Sequence, residues 1–269
     1  MVIKMKKILK IIIILVLLIA ILYFLFSNNK EKITNEDTLV IGLDDSFPPM
    51  GFRNDSNELV GFDIDLAKKV GEELGMEVKF QPISWADKEQ EIDSGKIDCI
   101  WNGFAYTEER AKIMTLSDIY IKGEMYFILK NGSLIKSQDE LKGKKIGVQN
   151  GSVQQTDLEN SEFGKDIEIL EYNDFLTAFM DLETGGIDAV YCSSITGNYL
   201  ITSLKKDYIT IPSENISKAN GSVIAFKKGN TELKDKIQNA FNKLLDEGEL
   251  DEISIKWFGK DMFYRKVEK

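Results

Sequence analysis

The stretch from Asp44 to Arg110 gathers the residue types most suited to chemistry in this chain. It opens with Asp44-Asp45-Ser46-Phe47-Pro48-Pro49-Met50, an acid and an aromatic at the end of a β-rich run, and closes with Thr107-Glu108-Glu109-Arg110. An arginine guanidinium meets a carboxylate through two parallel N–H···O bonds, which supplies geometry as well as charge. That is the chemistry of capture, not of covalent change. The 269 residues include no histidine, so the commonest general base and the commonest metal ligand are both missing. Carboxylates are many, but nothing sets a pair of them in environments that would push their pKa values apart. No catalytic residue is assigned, and no spaced oxygen-ligand loop marks a metal site; no cofactor is expected. Cys99 and Cys192 each lie in or beside a short apolar run and read as buried thiols. A disulfide would have to join two distant segments, and no histidine is present to activate a catalytic thiol. Their redox state stays open.

The elements that must position these residues begin after a membrane-directed segment. Lys4, Lys6, Lys7 and Lys10 precede an uninterrupted apolar run from Ile11 to Phe26, with no small-x-small cleavage pattern and no lipid-attachment cysteine after it. Residues 1–29 are read as an uncleaved signal anchor in preference to a cleaved signal peptide. The lysines stay inside and the body lies on the extracytoplasmic face of the membrane, or is secreted if the segment is cleaved. Residues 30–37 are polar and read as a tether. The net charge is −10, and with those four lysines set apart the body is more acidic still. Such a surface argues against nucleic acid as a partner.

Beyond the tether, Thr38 to Leu43 predicts a strand and Asn54 to Asn57 a turn. The spacing of Ile64, Leu66, Ala67, Val70 and Leu74 predicts one helix face, with Asp63 as N-cap and Gly75 as the stop. Val78–Ile83 reads as a strand, 86–93 as a helix and 99–101 as a third strand. A related rhythm follows: a strand at 144–148, a helix opening at Gly151-Ser152, a strand at 167–172 and a helix over 174–183. The segments from Glu91 to Ile100, with Gly95-Lys96-Ile97-Asp98, and from Asp181 to Val190, with Gly185-Gly186-Ile187-Asp188, are each a helix, a glycine turn, Ile-Asp and a buried strand. Two βα lobes of like architecture, or chance similarity, account for that repeat. A strand at 222–226, a long amphipathic helix capped by Asn230-Thr231 and a last helix from Leu250 to Trp257 complete the chain.

Several pieces in this order carry a resemblance. They are Gly42-x-Asp44 with Phe47-x-Pro49, Glu58-Leu59-Val60-Gly61-Phe62-Asp63, Gly95-x-Ile97-Asp98, Thr107-x-Glu109-Arg110, Gly143-Lys144-Lys145-Ile146-Gly147-Val148 with Gly151-Ser152, Gly186-Ile187-Asp188-Ala189 and Lys256-Trp257-Phe258-Gly259. From Thr38 to Gly259 the chain resembles the extracytoplasmic solute-binding proteins of polar amino-acid ABC importers. The resemblance implies an α/β, two-lobed type II periplasmic-binding-protein fold. Each lobe would be a mixed sheet flanked by helices, closing like a hinge over a ligand. It places the first lobe at 38–122 and 222–269, and the second, with the hinge segments, at 123–221. It implies that Asp44, Phe47, Trp85, Asn102, Gly103, Ala105 and Arg110 form the first lobe's half of the site. Phe47 and Trp85 would flank the ligand's side chain, Arg110 would hold its carboxylate and Asp44 would meet its distal end. Asn150, Gly151, Ser152 and Val153 match the second lobe's loop, whose amides would complete the carboxylate site. Ala105 stands where the family often has a hydroxyl, and Ser193 where it usually has the acid for the ligand's ammonium. The implied partners are a small carboxylate ligand, an amino acid or close derivative, and an ABC permease, with the protein acting as a monomer. A ligand sensor and a dehydratase-like enzyme on the same fold are the rival readings.

Overall fold

The structure, a computed structural model, describes residues 38–219 and 221–265. The expected anchor and tether lie outside the described residues, among which no helix is long and apolar enough to cross a membrane. Thr38–Leu43 forms β1. The segment after it folds into a small antiparallel sheet of Ser46–Phe47 (β2), Gly51–Arg53 (β3) and Leu59–Val60 (β4), with the expected turn between the last two. Phe62–Leu74 (α1) stops at Gly75, which takes the left-handed conformation (φ 65°) and returns its amide to the last turn. Asp63 is not its cap. The chain enters the helix through Gly61, where a Cβ would lie 2.2 Å from the Met50 carbonyl oxygen. Asp63 is instead fully buried, its carboxylate accepting from the Gly103 amide at 2.6 Å and the Tyr120 hydroxyl at 2.9 Å.

The first half continues with Glu77–Pro82 (β5), Lys88–Asp93 (α2), Cys99–Ile100 (β6), Glu108–Ile113 (α3) and Met114–Leu116 (β7). The second half runs through Met125–Lys130 (β8), Lys145–Gln149 (β9), Val153–Glu159 (α4), Glu168–Tyr172 (β10), Phe175–Thr184 (α5), Ala189–Ser193 (β11), Ser194–Leu204 (α6) and Tyr208–Pro212 (β12). Ala225–Lys227 (β13), Thr231–Asp246 (α7) and Asp251–Phe258 (α8) then return to the first half.

Two five-stranded sheets result, in the orders β5-β1-β6-β13-β7 and β10-β9-β11-β8-β12. Each has three parallel strands, then one antiparallel strand, then an edge strand antiparallel to that one, so the repeat seen in the sequence is architectural. The shared Ile-Asp step has a shared physical role. The Asp98 carboxylate accepts from the Val40 amide at 2.7 Å, and the Asp188 carboxylate from the Lys145 amide at 2.9 Å. Each aspartate satisfies a donor at the open end of the adjacent parallel strand. On one face of the first sheet, α1 and α7 bury Leu66, Val70, Ile237, Phe241 and Leu244 against Leu39 and Ile41. The second sheet is covered on both faces, by the Leu158 side and by the Phe175–Phe179 side. Cys99 and Cys192 lie buried in separate cores as free thiols, and burial raises the pKa of each.

Candidate ligand-binding site

The carboxyl end of β9, the segment after β6 and the N-termini of α3, α4 and α6 converge on one cavity between the sheets. In α3 the motif Thr107-x-Glu109-Arg110 explains itself: the Thr107 hydroxyl caps the helix by accepting from the Arg110 amide at 3.1 Å. Arg110 is half-buried and lines the cavity. One guanidinium N–H donates to the Ala105 carbonyl at 2.9 Å, and the group stacks 4.1 Å from the centre of the Phe104 ring. Burial lowers its pKa to about 10, so it stays charged at neutral pH. Among the described residues no carboxylate forms an ion pair with it.

Apolar walls come from Phe47, Met50 and Trp85 on one side and Met125, Val153 and Ile195 on the other. Gly103, Ala105, Ser152 and Ser193 also line the cavity. Gly103 is fixed by its bond to Asp63 and adopts φ 61°; a Cβ there would press 2.9 Å from the Phe47 ring. The second-lobe loop is built as a helix start. Ser152 caps α4 by accepting from the Gln155 amide at 3.2 Å, and the Gln155 side chain reaches back to the Gly151 amide at 2.8 Å. Gly151 therefore offers no amide to a ligand. Its carbonyl turns instead to Lys88, and the donors without partners among the described residues are the first-turn amides of Val153 and Gln154.

Three further residues sit apart from the cavity. Asn102 is fully buried behind it, its side-chain oxygen accepting from the Asp44 amide at 3.1 Å. Asp44 and Asn150 face a neighbouring hollow that shares only Trp85 with the inner cavity. Asp44 is reached from the other lobe by the Gln149 side-chain amide at 2.5 Å, and burial raises its pKa to about 6. Ser193 caps α6, accepting from the Thr196 amide and donating to the Thr196 hydroxyl, both at 3.3 Å.

A family model described as "Bacterial extracellular solute-binding proteins, family 3" matches residues 39–260. The chain belongs to this family. It is 31% identical to the L-cystine-binding protein TcyJ of Escherichia coli K12, covering 86% of each chain. It is 29% identical to the arginine-binding extracellular protein ArtP of Bacillus subtilis, over 86% of this chain and 90% of that one. Among solved structures, an ABC uptake transporter substrate-binding protein from Streptococcus pneumoniae with bound histidine superimposes with a TM-score of 0.80 at 34% identity, covering 86% of this chain and 96% of that one. An ancestral arginine-binding protein bound to arginine gives 0.76 at 34% identity, covering 83% and 99%.

This family-3 solute-binding protein thus gathers Phe47, Trp85, Gly103, Ala105, Arg110, Ser152, Val153 and Ser193 around one cavity. Met50, Met125, Gln149, Gln154, Ile195 and Thr196 line it as well, and sequence reasoning passed over them. Met50 is legible as the end of the Phe47-Pro48-Pro49 turn, and Gln149 as the last residue of its strand. Met125, Ile195 and Thr196 enter through β8 and α6, two elements the hydrophobic pattern did not single out. Among the described residues, the lining contains one cation, Arg110, and no carboxylate.

Proposed function

We propose that this chain captures an amino acid or close derivative outside the cytoplasm, holds its carboxylate on Arg110, and hands it unchanged to an ABC permease. The observation that carries this reading is the Arg110 guanidinium, which lines the cavity with one N–H on the Ala105 carbonyl and donors to spare. A desolvated guanidinium with free donors is costly unless an anion arrives, because among the described residues no carboxylate pairs with it directly and Glu89 and Asp157 act on it only from beyond ion-pair distance. Relatives named for cystine, arginine and histidine support the amino-acid class. The rest of the lining narrows it. A cationic or anionic side chain would be buried between Phe47 and Trp85 without a counter-charge, so the ligand's side chain is uncharged. Its ammonium is received by dipoles: the hydroxyls of Ser193 and Thr196 and the side-chain carbonyl oxygen of Gln149. The protein acts as a monomer without covalent chemistry, held at the membrane by its N-terminal segment.

Calorimetric titration with neutral, basic and acidic amino acids, and with amine-free carboxylates, tests the reading. A neutral amino acid is expected to bind at micromolar concentration or tighter. Binding of arginine or lysine alone would overturn the uncharged side chain. Binding confined to amine-free carboxylates would overturn the amino acid while leaving the carboxylate.

A further inference from the structure

Outside the inner cavity, α2 places a lysine where a charge is least expected. Lys88 is only 2% exposed. Its ammonium donates to the Trp85 carbonyl at 3.0 Å and the Gly151 carbonyl at 2.8 Å, and lies 3.2 Å from the Glu89 carboxylate. Trp85 and Glu89 belong to the same lobe as Lys88, and Gly151 to the other. An ammonium has three protons to donate, and with the lobes together each has an acceptor. The approach also depends on Gly151 itself: its φ is 70°, and a Cβ there would come within 2.8 Å of the Ala86 Cα. Lys88 does not line the inner cavity; it faces an outer groove. Trp85 walls the inner cavity from one lobe, and Gly151 leads into the first turn of α4 from the other.

We propose that Lys88 is a positioning residue for closure: it latches the Trp85 wall of one lobe to the Gly151 loop of the other without touching the ligand. Opening removes the Gly151 acceptor, so the latch favours the closed arrangement independently of what is bound. This goes beyond the ligand reading and does not depend on it.

The test needs no ligand. In the full chain, Ile113→Cys and Leu134→Cys place spin labels at positions 60% and 87% exposed on the two lobes, while both native cysteines are buried. Pulsed electron paramagnetic resonance then reads the distance between lobes. The parent protein is expected to show a closed component, and Lys88→Met to lower the ratio of closed to open about tenfold, the loss of one charge-assisted hydrogen bond. Gly151→Ala, which disturbs the same contact from the other lobe without uncovering a buried charge, is expected to shift the distribution in the same direction. Absence of a closed component in the parent overturns the proposal. So does an unchanged distribution in either variant with native circular dichroism. A lowered unfolding temperature with no change in distance would mark Lys88 as structural only, and overturns it too.

Discussion

The guanidinium of Arg110 uses one N–H on the Ala105 carbonyl and stacks on Phe104, so its plane and direction are set before any ligand arrives. Preorganisation of that kind is what a lysine cannot reproduce, because an ammonium is a point charge without a fork. Arg110→Lys is therefore expected to weaken ligand binding by about 2 kcal/mol, roughly thirtyfold, and Arg110→Met to weaken it further. Arg110→Met is not expected to lower the ligand-free melting temperature, since it removes a desolvated charge that makes no ion pair among the described residues. Calorimetry and thermal melts on the same samples check both halves. Binding within threefold of the parent in Arg110→Met would remove Arg110 from the site. This residue was legible because arginine chemistry is specific and Thr107 caps the helix that presents it. Gly151 was half legible: its glycine is required, but for lobe contact and a turned carbonyl, not for an amide aimed at a ligand. Side-chain competition from Gln155 for that amide leaves no period or spacing to read.

At the scale of elements, Asp63 joins three pieces of chain through hydrogen bonds: α1, the Gly103 turn and the Tyr120 segment after β7. Its type and position suggested a helix cap, and only the tertiary fold shows it as a buried hub. Burial raises its pKa from 3.8 to about 7, ahead of the lowering effects of the Tyr120 and Gly103 bonds. The folded state thus holds the proton more tightly than the unfolded chain. Asp63's contribution to stability is greatest below pH 4, falls as the pH rises, and is lost above about 7. Asp63→Asn is expected to flatten that decline in urea midpoints measured between pH 4 and pH 7.5, and an equally steep decline in the variant would reject the assignment. Among elements, α6 was the hardest to read. Ser194-Ile195-Thr196-Gly197 and Ile201-Thr202 are poor helix formers, and the glycine is kept because a Cβ would lie 2.4 Å from Ile128. Tertiary packing overrides propensity there, whereas the amphipathic α1 and α7 announce themselves.

At the scale of the whole molecule, two sheets with separate cores leave the lobes joined across the cleft by few contacts. They include the rings of Phe47 and Phe175 at 5.9 Å, those of Phe52 and Tyr199 at 5.6 Å, the Lys88–Gly151 bond, the Asp44–Gln149 bond and Ile195 against the first lobe's core. Contacts of this kind are worth about 1 kcal/mol each, so small changes in any one shift the closure equilibrium. The repeated Ile-Asp step made the two lobes legible in sequence; the contacts between them were not, because they pair residues about sixty to 150 apart with no local pattern. Asp44 is expected to make closure sensitive to pH. It is 8% exposed, Gln149 covers it from the opposite lobe, and Asp174 and Asp45 add repulsion. Desolvation outweighs the bonds from the Ser46 amide and Gln149, raising its pKa from 3.8 to about 6. Opening readmits water and lets that pKa fall, so the proton is held more tightly in the closed form. Closure is accordingly favoured at low pH and weakened as the pH rises through about 6. Asp63 is fully buried within one lobe and bonded there to Gly103 and Tyr120. Small-angle scattering of the ligand-free protein is expected to show the radius of gyration growing between pH 4.5 and pH 7. Asp44→Asn, which keeps the shape and removes the charge, should make the curve level. A radius that shrinks with rising pH in the parent protein would mean that the Gln149 bond, and not desolvation, governs Asp44.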